Sequence, residues 1–237
     1  MMLRLIDRSK IYFYLALLLV LLSTHNLNSI NSANEYFKVK KIVLKGNIEE
    51  NLNREISTSL DKFYNYNIFS INSEEIKNIL SNFNIISEYK IKKEYPSVIR
   101  IDLKKTNIVA YYYDKNQKIY IGNNGKKIKK NNLKSKDLPS IEGQFDIKKF
   151  LELKKKLINK GFKLNDFSKF YFFKSNRWDL LLKNEILVKL SADDIEFSLK
   201  LLKDIIKSSN INDIKVIDLR IRNRVILSWK LTHQFQF

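Results

Sequence analysis

The sequence has 237 residues, 44% of them hydrophobic, which is enough for one or two packed domains. It contains no cysteine and only two histidines. Disulfides, thiolate metal sites and a cysteine nucleophile are therefore excluded, and a zinc site or a Ser-His-Asp triad is very hard to assemble. The net charge of +19 indicates either an anionic partner or a compositional bias that spreads lysine over every solvated face.

The N-terminal part combines positive charge with an apolar segment at residues 11–22. A membrane-spanning helix needs about 20 apolar residues, and the segment reaches that length only if the uncharged stretch up to Ile30 is included. We expect a cytoplasmic tail over 1–10 and a transmembrane anchor in the lipid bilayer over 11–30, which would place the following residues outside the cytoplasm. A cleaved signal peptide has the same charge pattern and remains the alternative.

Residues 37–105 predict a small domain with the element order β-α-α-β-β. Alternating side chains from Phe37 to Lys45 predict a strand that ends at a Gly-Asn turn. Two amphipathic helices follow, the second capped by Asn72, and a pair of strands then flanks Tyr95-Pro96. The apolar positions of the helices recur at helical spacing: Leu52, Ile56, Leu60 and Phe63 in the first, and Ile76, Ile79, Leu80 and Phe83 in the second.

This order resembles a POTRA domain, a small module of extracytoplasmic proteins that handles other polypeptides. The stretch "IVLKGN" is similar to the opening strand and turn of that module, and "EYPSVIRIDL" is similar to its last hairpin.

We expect residues 106–230 to form a second, mostly β domain with helices on one side, followed by a short tail over 231–237. Hairpin turns are predicted at 114–117 and 123–125, whereas "DLPSIEG" is expected to be a loop. The stretches "FSKFYFFKSN", "RWDLLLKN" and "EILVKLS" predict strands, and "IKVIDLRIRNRVILSWK" predicts two closing strands.

Two helices are predicted within this second domain. The first contains Phe150, Leu153 and Leu157 and ends before Gly161. The second is expected to be capped by Ser191, with Asp193 and Asp194 in its first turn, where carboxylates are favourable. Its apolar face consists of Ile195, Leu199, Leu202 and Ile206.

Four phrases of the second domain occur in the order found in the FtsQ/DivIB family of cell-division proteins. They are "YIGNNGKKI", "LPSIEG", "RWDLLLKNEILVKLS" before a helix, and "VIDLR" before a last strand with Trp229. The chain resembles that family over nearly its whole length. The expected fold is therefore α+β: an N-terminal transmembrane helix, a β-α-α-β-β POTRA domain, and a mostly antiparallel β domain with helices on one side.

The resemblance implies a single-pass scaffold of the inner membrane at the division septum. Its periplasmic bulk is expected to bind FtsB, and through it FtsL, by strand addition to its C-terminal edge, and so to help control septal peptidoglycan synthesis. It also implies a recruitment surface on the strand that contains Ile91 and Lys93. The residues expected at the docking edge are Ile221, Asn223, Arg224, Val225, Ile226, Leu227, Ser228 and Trp229.

The residues alone leave the closing strand ambiguous. An ordinary closing strand explains the alternation from Arg224 to Trp229 fully. A strand at the edge of a sheet, however, exposes backbone groups that can accept a partner strand, and Trp is a frequent anchor at such contacts.

Three other stretches suggest chemistry but have simpler explanations. The "GNNG" stretch at 122–125 fits a hairpin better than a phosphate loop, and Asp193, Asp194 and Glu196 fit helix capping better than metal binding. The tyrosines at 111–113 fit sheet packing better than base stacking.

The sequence therefore predicts a non-enzyme without a cofactor, a metal, a small-molecule substrate or a nucleic-acid partner. Two alternatives remain: an accessory protein of outer-membrane assembly or secretion that contains a POTRA domain, and a membrane-tethered nucleic-acid binder.

Overall fold

The computed structural model describes residues 8–23, 34–129, 137–208, 211 and 213–229. The fold is mixed α+β, and the chain divides into two compact units. The expected C-terminal tail over 231–237 and most of the expected N-terminal tail lie outside the described residues. The two units comprise Met1–Asn82 with Tyr89–Lys104, and Phe83–Glu88 with Lys105–Phe237.

The N-terminal helix α1 (Arg8–Ser23) has 16 residues and is apolar on all its sides from Ile11 onward. Its described side chains are exposed. No helix among the described residues is long and apolar enough to cross a membrane. Residues 24–30 of the expected anchor lie outside the described part of the chain.

Besides α1, the first unit contains two helices and most of a three-stranded sheet. The strand order is β1-β3-β2, and β1 pairs in parallel with β3, with Lys41 opposite Val98. The observed element order is β-α-α-β-β, as the sequence predicts. The elements are β1 (Lys41–Lys45), α2 (Glu50–Leu60), α3 (Ser73–Ser81), β2 (Ile86–Glu94) and β3 (Val98–Lys105).

The helices of the first unit form where the sequence provides a cap and an apolar stripe. The Asn72 side chain accepts a hydrogen bond from the Glu74 amide at 2.9 Å and so caps α3. The apolar stripes of both helices are buried, the two helices contact each other, and α2 also contacts β1. Residues that are almost fully buried in this unit include Ile56, Leu60, Ile76, Leu80, Ile99 and Ile101.

The second unit contains a nine-stranded sheet with the order β12-β11-β10-β9-β8-β7-β4-β5-β6. Most neighbouring strands are antiparallel, and the parallel pairs are β10 with β11, β4 with β7, and β7 with β8. The strands are β4 (Ile108–Asp114), β5 (Gln117–Gly122), β6 (Lys127–Ile128), β7 (Ser140–Glu142), β8 (Phe167–Phe172), β9 (Trp178–Leu182), β10 (Leu187–Lys189), β11 (Ile214–Asp218) and β12 (Ile226–Trp229).

Helices α4 (Ile147–Asn159) and α5 (Ile195–Ser208) pack into one hydrophobic cluster with the sheet. The two helices contact each other, and Lys156 of α4 lies 3.8 Å from the Glu196 carboxylate of α5. Members of this cluster include Phe150, Leu153, Leu157, Phe170, Leu180, Leu199, Leu202 and Ile217.

Two sequence predictions for this unit were wrong. The "DLPSIEG" stretch contains β7, which joins β4 to β8 in the middle of the sheet. A strand of three residues between Pro139 and Gly143 is too short to show a periodic pattern. The cap of α5 is Asp194, whose carboxylate accepts from the Phe197 amide at 3.0 Å, whereas Ser191 accepts from the two amides before the helix.

Candidate partner-docking edge

Strand β12 lies at one end of the nine-stranded sheet. It pairs in the antiparallel direction with β11, and the register places Asp218 opposite Ile226 and Ile214 opposite Trp229. No described strand pairs with the other side of β12. A strand in this position presents backbone N–H and C=O groups to solvent, where a further strand can pair with them.

The side chains of β12 divide between the core and the surface. Leu227 packs against the hydrophobic cluster opposite Ile217. The other residues of the strand are exposed to solvent: Ile226 is 49% exposed, Ser228 is exposed, and Trp229 is 58% exposed. The edge therefore offers both open backbone groups and large apolar side chains to solvent.

The remaining predicted docking residues precede the strand. The Arg224 amide donates to the Ile221 carbonyl at 3.1 Å, and Asn223 has a φ of 60°, a left-handed conformation that Asn tolerates better than most residues. Ile221 and Val225 are 51% and 40% exposed. The structure thus places Ile221 and Asn223 in a tight turn, with Arg224 and Val225 leading from it into β12.

The predicted start of the closing strand at Arg224 was therefore two residues early. The turn occupies the chain as far as Arg224, and the last pair in the register joins Asp218 to Ile226. On the other side of β11, the Leu219 amide donates to the Lys189 carbonyl at 2.8 Å and extends the pairing with β10 by one residue.

Positive charge surrounds this turn. Arg220, Arg222 and Arg224 alternate along the sequence and are all exposed. Arg220 pairs with Asp218, with an Nη2–Oδ2 distance of 2.6 Å. Burial alone would raise the pKa of Asp218, but the hydrogen bonds and charge of Arg220 outweigh this effect and hold the pKa below its ordinary value. One arginine is thus neutralised within the chain, and the end of the edge stays cationic.

The sheet face opposite the helices carries a shallow apolar groove of about 380 Å³. Leu181, Leu187 and Val216 are neighbours in register across β9, β10 and β11, and the same row continues to Ser228 on β12. Tyr171 and Phe173 also line the groove. The groove therefore ends at Val216 on β11, the strand next to the docking edge.

A buried ion pair closes one side of this groove. Asp179 is 3% exposed, and its carboxylate accepts from the Arg177 Nε at 3.0 Å. Burial raises the pKa of Asp179, and the Arg177 hydrogen bond offsets part of that rise. Neither this groove nor the ion pair was predicted from the sequence. The alternation of Asp179 and Leu181 with Leu180 on β9 indicates that these side chains lie on opposite faces of the sheet. It does not reveal which of the two faces the helices leave uncovered.

The recruitment residues predicted in the first unit lie on β2, an edge strand of the three-stranded sheet. Ile91 and Lys93 are both half-buried. The Lys93 ammonium donates to the Ile71 carbonyl at 2.7 Å. One of its three donors is therefore engaged within the unit, and the predicted role of this strand stays a prediction.

The rejected candidate sites have structural roles. Residues 122–125 form the hairpin turn between β5 and β6, and Asn124 of that turn donates to the Asn84 and Ile86 carbonyls. Tyr112 packs against Phe145 at a centroid distance of 5.3 Å, whereas Tyr111 lies on the other face beneath the Lys118 ammonium. Among the described residues, no group of three or more His, Asp or Glu side chains is placed to hold a metal ion.

The sequence matches the family model for the C-terminal domain of cell division protein FtsQ/DivIB over residues 110–220. That range covers β4 to β11 and ends before β12. The chain is 30% identical over 198 residues to cell division protein FtsQ of Rickettsia bellii. That alignment covers 79% of this chain and 71% of the Rickettsia protein. The chain belongs to the FtsQ/DivIB family.

Two further proteins are similar to parts of this chain. The chain is 32% identical over 111 residues to cell division protein DivIB of Clostridium tetani. That alignment covers 46% of this chain and 41% of the Clostridium protein. The solved extracytoplasmic domain of DivIB from Geobacillus stearothermophilus overlays with a TM-score of 0.32 and 16% identity, and covers 45% of this chain and 98% of that domain.

Proposed function

We propose that this FtsQ/DivIB family member is a single-pass scaffold at the division septum, held in the inner membrane by residues 11–30. Its periplasmic part binds FtsB, and FtsL through FtsB, by adding a partner strand to β12. The scaffold acts by binding and positioning and performs no chemistry. The observation that supports this proposal best is the position of β12 at the end of the sheet, with Trp229 exposed beside open backbone groups.

The edge favours a partner strand with a particular composition. Ile226 and Trp229 provide apolar contacts, and main-chain hydrogen bonds to β12 provide affinity with little sequence preference. Arg222 and Arg224 at the start of the edge favour acidic side chains on the partner. The groove beside Val216 accommodates apolar side chains that reach over the open face of the sheet.

The membrane attachment is supported by the character of α1. A helix with apolar side chains on every side has no polar face for water, and such helices are buried in a protein core or in a bilayer. The described apolar side chains of α1 are exposed, from Ile11 to Leu22, so the described part of the chain provides no core for them.

Pull-down of FtsB with two edge variants tests the docking proposal. Trp229→Ala removes the exposed anchor, and Val225→Asp places a negative charge beside the entering strand. We expect both variants to lose FtsB binding while their circular dichroism spectra and melting temperatures stay close to those of the parent. Tyr113→Ala is the matched control, because Tyr113 is an equally exposed aromatic residue on the opposite half of the sheet. Binding that survives both edge substitutions would refute the docking edge.

A further inference from the structure

The first unit carries four aromatic rings in sequential contact at its surface, here called the aromatic ladder: Tyr36, Phe37, Phe69 and Tyr95. The ring centroids of Tyr36 and Phe37 are 5.4 Å apart, those of Phe37 and Phe69 5.1 Å, and those of Phe69 and Tyr95 4.8 Å. Tyr36, Phe69 and Tyr95 are each 58% exposed. Contiguous exposed apolar surface is typical of interaction sites, whereas single exposed apolar residues are common on any protein surface.

The backbone holds the ladder in place before any partner arrives. The Ile68 amide donates to the Phe37 carbonyl at 2.9 Å, and the Val39 amide donates to the Tyr66 carbonyl at 2.9 Å. These bonds join the segment that carries Tyr36 and Phe37 to the loop that carries Phe69. The exposed rings are therefore presented by a fixed surface.

The core does not require the ring of Phe69. Ile68 and Ile71, on either side of Phe69, are 0% and 6% exposed and supply the buried contacts of the loop. Phe69 instead stacks on Tyr95 at an interplanar angle of 19°, with most of its ring in solvent. Burial of this loop is therefore complete without Phe69, and its outward position calls for an external partner.

The position of the ladder in the chain points to a lipid surface. Tyr36 follows Ser23, the last residue of α1, by 13 positions (36 − 23). A fully extended chain of that length reaches about 45 Å at most. If α1 lies in a bilayer, the ladder cannot be farther than this from the headgroups. Tyrosine also suits that zone, because its ring is apolar and its hydroxyl stays hydrated.

The charge beside the ladder agrees with an anionic lipid surface. The Lys40 and Lys41 amides both donate to the Ser97 carbonyl, two residues after Tyr95, and both lysine side chains are exposed. A basic residue near an anionic membrane surface contributes about 1 kcal/mol to binding. Apolar rings beside free ammonium groups are the combination that binds such surfaces reversibly.

We propose that the aromatic ladder contacts the headgroup layer of the membrane and holds the first unit against the bilayer. This inference rests on the proposed membrane attachment of α1 but is independent of the docking edge. Its effect is to limit the positions that the first unit can take above the membrane to a greater extent than attachment through α1 alone.

The test uses the absence of cysteine from the chain. The full-length Ser70→Cys variant, whose single thiol lies next to exposed Phe69, is labelled with a polarity-sensitive fluorophore. It is then reconstituted into vesicles of phosphatidylglycerol and phosphatidylethanolamine that carry a headgroup spin label. We expect the lipid spin label to quench the fluorophore. In the same background, Phe69→Ser with Tyr95→Ser should lose this quenching, whereas Tyr113→Ser should retain it.

Each outcome decides the proposal. If the protein floats with the vesicles but the fluorophore is not quenched, the ladder contact is refuted and the membrane anchor is not. Protein that fails to float would refute both. The fluorophore could also be unquenched in vesicles but shielded from water in native membranes. That result would refute the lipid contact and assign the ladder to a protein partner. FtsB pull-down in detergent reports on the docking edge separately in every case.

Discussion

At the scale of single residues, Asp218 connects the stability of the second unit to the docking edge. Its carboxylate accepts from the backbone amide and the guanidinium of Arg220, and its backbone forms the last pair with Ile226. The same ion pair lies where β11 ends and the turn toward β12 begins. A change at Asp218 therefore acts on the fold and on the edge together.

We predict that Asp218→Asn lowers the free energy of unfolding of the second unit by about 1 kcal/mol at pH 7, because it removes charge-assisted hydrogen bonds. The pKa of Asp218 is lowered in the folded state. Its contribution is therefore present above the unfolded-state pKa of about 3.9 and is lost as the pH falls through the folded-state pKa. The difference between parent and variant should thus shrink below about pH 4.

Urea unfolding followed by tryptophan fluorescence measures this difference, since Trp178 and Trp229 both lie in the second unit. Asp204→Asn on the exposed face of α5 is the control and should change stability little at either pH. A difference between Asp218→Asn and the parent that is as large at pH 3 as at pH 7 would argue against a role for the ionised carboxylate.

Capping of α5 illustrates the limit of sequence reasoning at this scale. Ser191 and Asp194 are both favourable caps, and each accepts a backbone hydrogen bond in the structure. The helix begins after Asp194, and the Ser198 hydroxyl in its first turn lies 3.0 Å from the Asp194 carbonyl and 3.4 Å from the Leu219 carbonyl that follows β11. That tertiary contact cannot be deduced from the local sequence.

At the scale of elements, β12 has one side chain that stabilises the fold and others that are free to bind. We predict that Leu227→Ala lowers the free energy of unfolding by about 1–2 kcal/mol, because Leu227 is half-buried against the cluster. Ile226→Ala should change it by less than about 0.5 kcal/mol, because the side chain is half in solvent.

Urea unfolding of the two variants, with FtsB pull-down of Ile226→Ala in parallel, separates packing from docking. Ile226→Ala is expected to weaken FtsB binding without loss of stability. Equal destabilisation by both substitutions would mean that Ile226 is part of the packed core and that β12 is an ordinary closing strand.

The elements that the sequence predicts well are those with a long apolar repeat. Helices α2, α3 and α4 form where Ile56, Ile76 and Phe150 recur with their neighbours at helical spacing. The turn between β4 and β5 also forms as predicted, with Lys115 and Asn116 both at positive φ. In these cases the local pattern and the tertiary fold require the same structure.

Short strands were harder to predict. β7 has three residues, and its neighbours in the sheet, β4 and β8, are far from it in sequence. β12 has four residues, and its first residue is set by the pair that Asp218 forms with Ile226. The first and last residues of β7 and β12 are determined by pairing with distant segments of the chain. The local sequence around Ser140 or Arg224 does not indicate them.

At the scale of the whole molecule, the chain combines an apolar helix, a small unit with the aromatic ladder, and a large sheet with an open edge. The family relationship places such a chain among cell-division proteins. The element order of the first unit could be predicted from the sequence, and so could a closing strand at the end of the chain, whereas β7 could not. The open groove and the aromatic ladder could not, because both depend on which faces the fold leaves uncovered.

We predict that the full-length chain, fused to a fluorescent protein at its N-terminus, forms a band at midcell in dividing cells. A septal scaffold must be concentrated where the septum forms. Microscopy of the fusion, with α1 alone carrying the same fluorescent protein as the control, measures this. Uniform staining of the membrane by both proteins would contradict a septal role.

Amide hydrogen exchange across β12, measured with and without FtsB, tests strand addition most directly. Pairing of a partner strand with β12 replaces solvent as the hydrogen-bond partner of its outward amides. We predict that exchange at residues 226–229 slows in the complex. Unchanged exchange at these residues, with protection appearing elsewhere on the bound protein, would contradict the account.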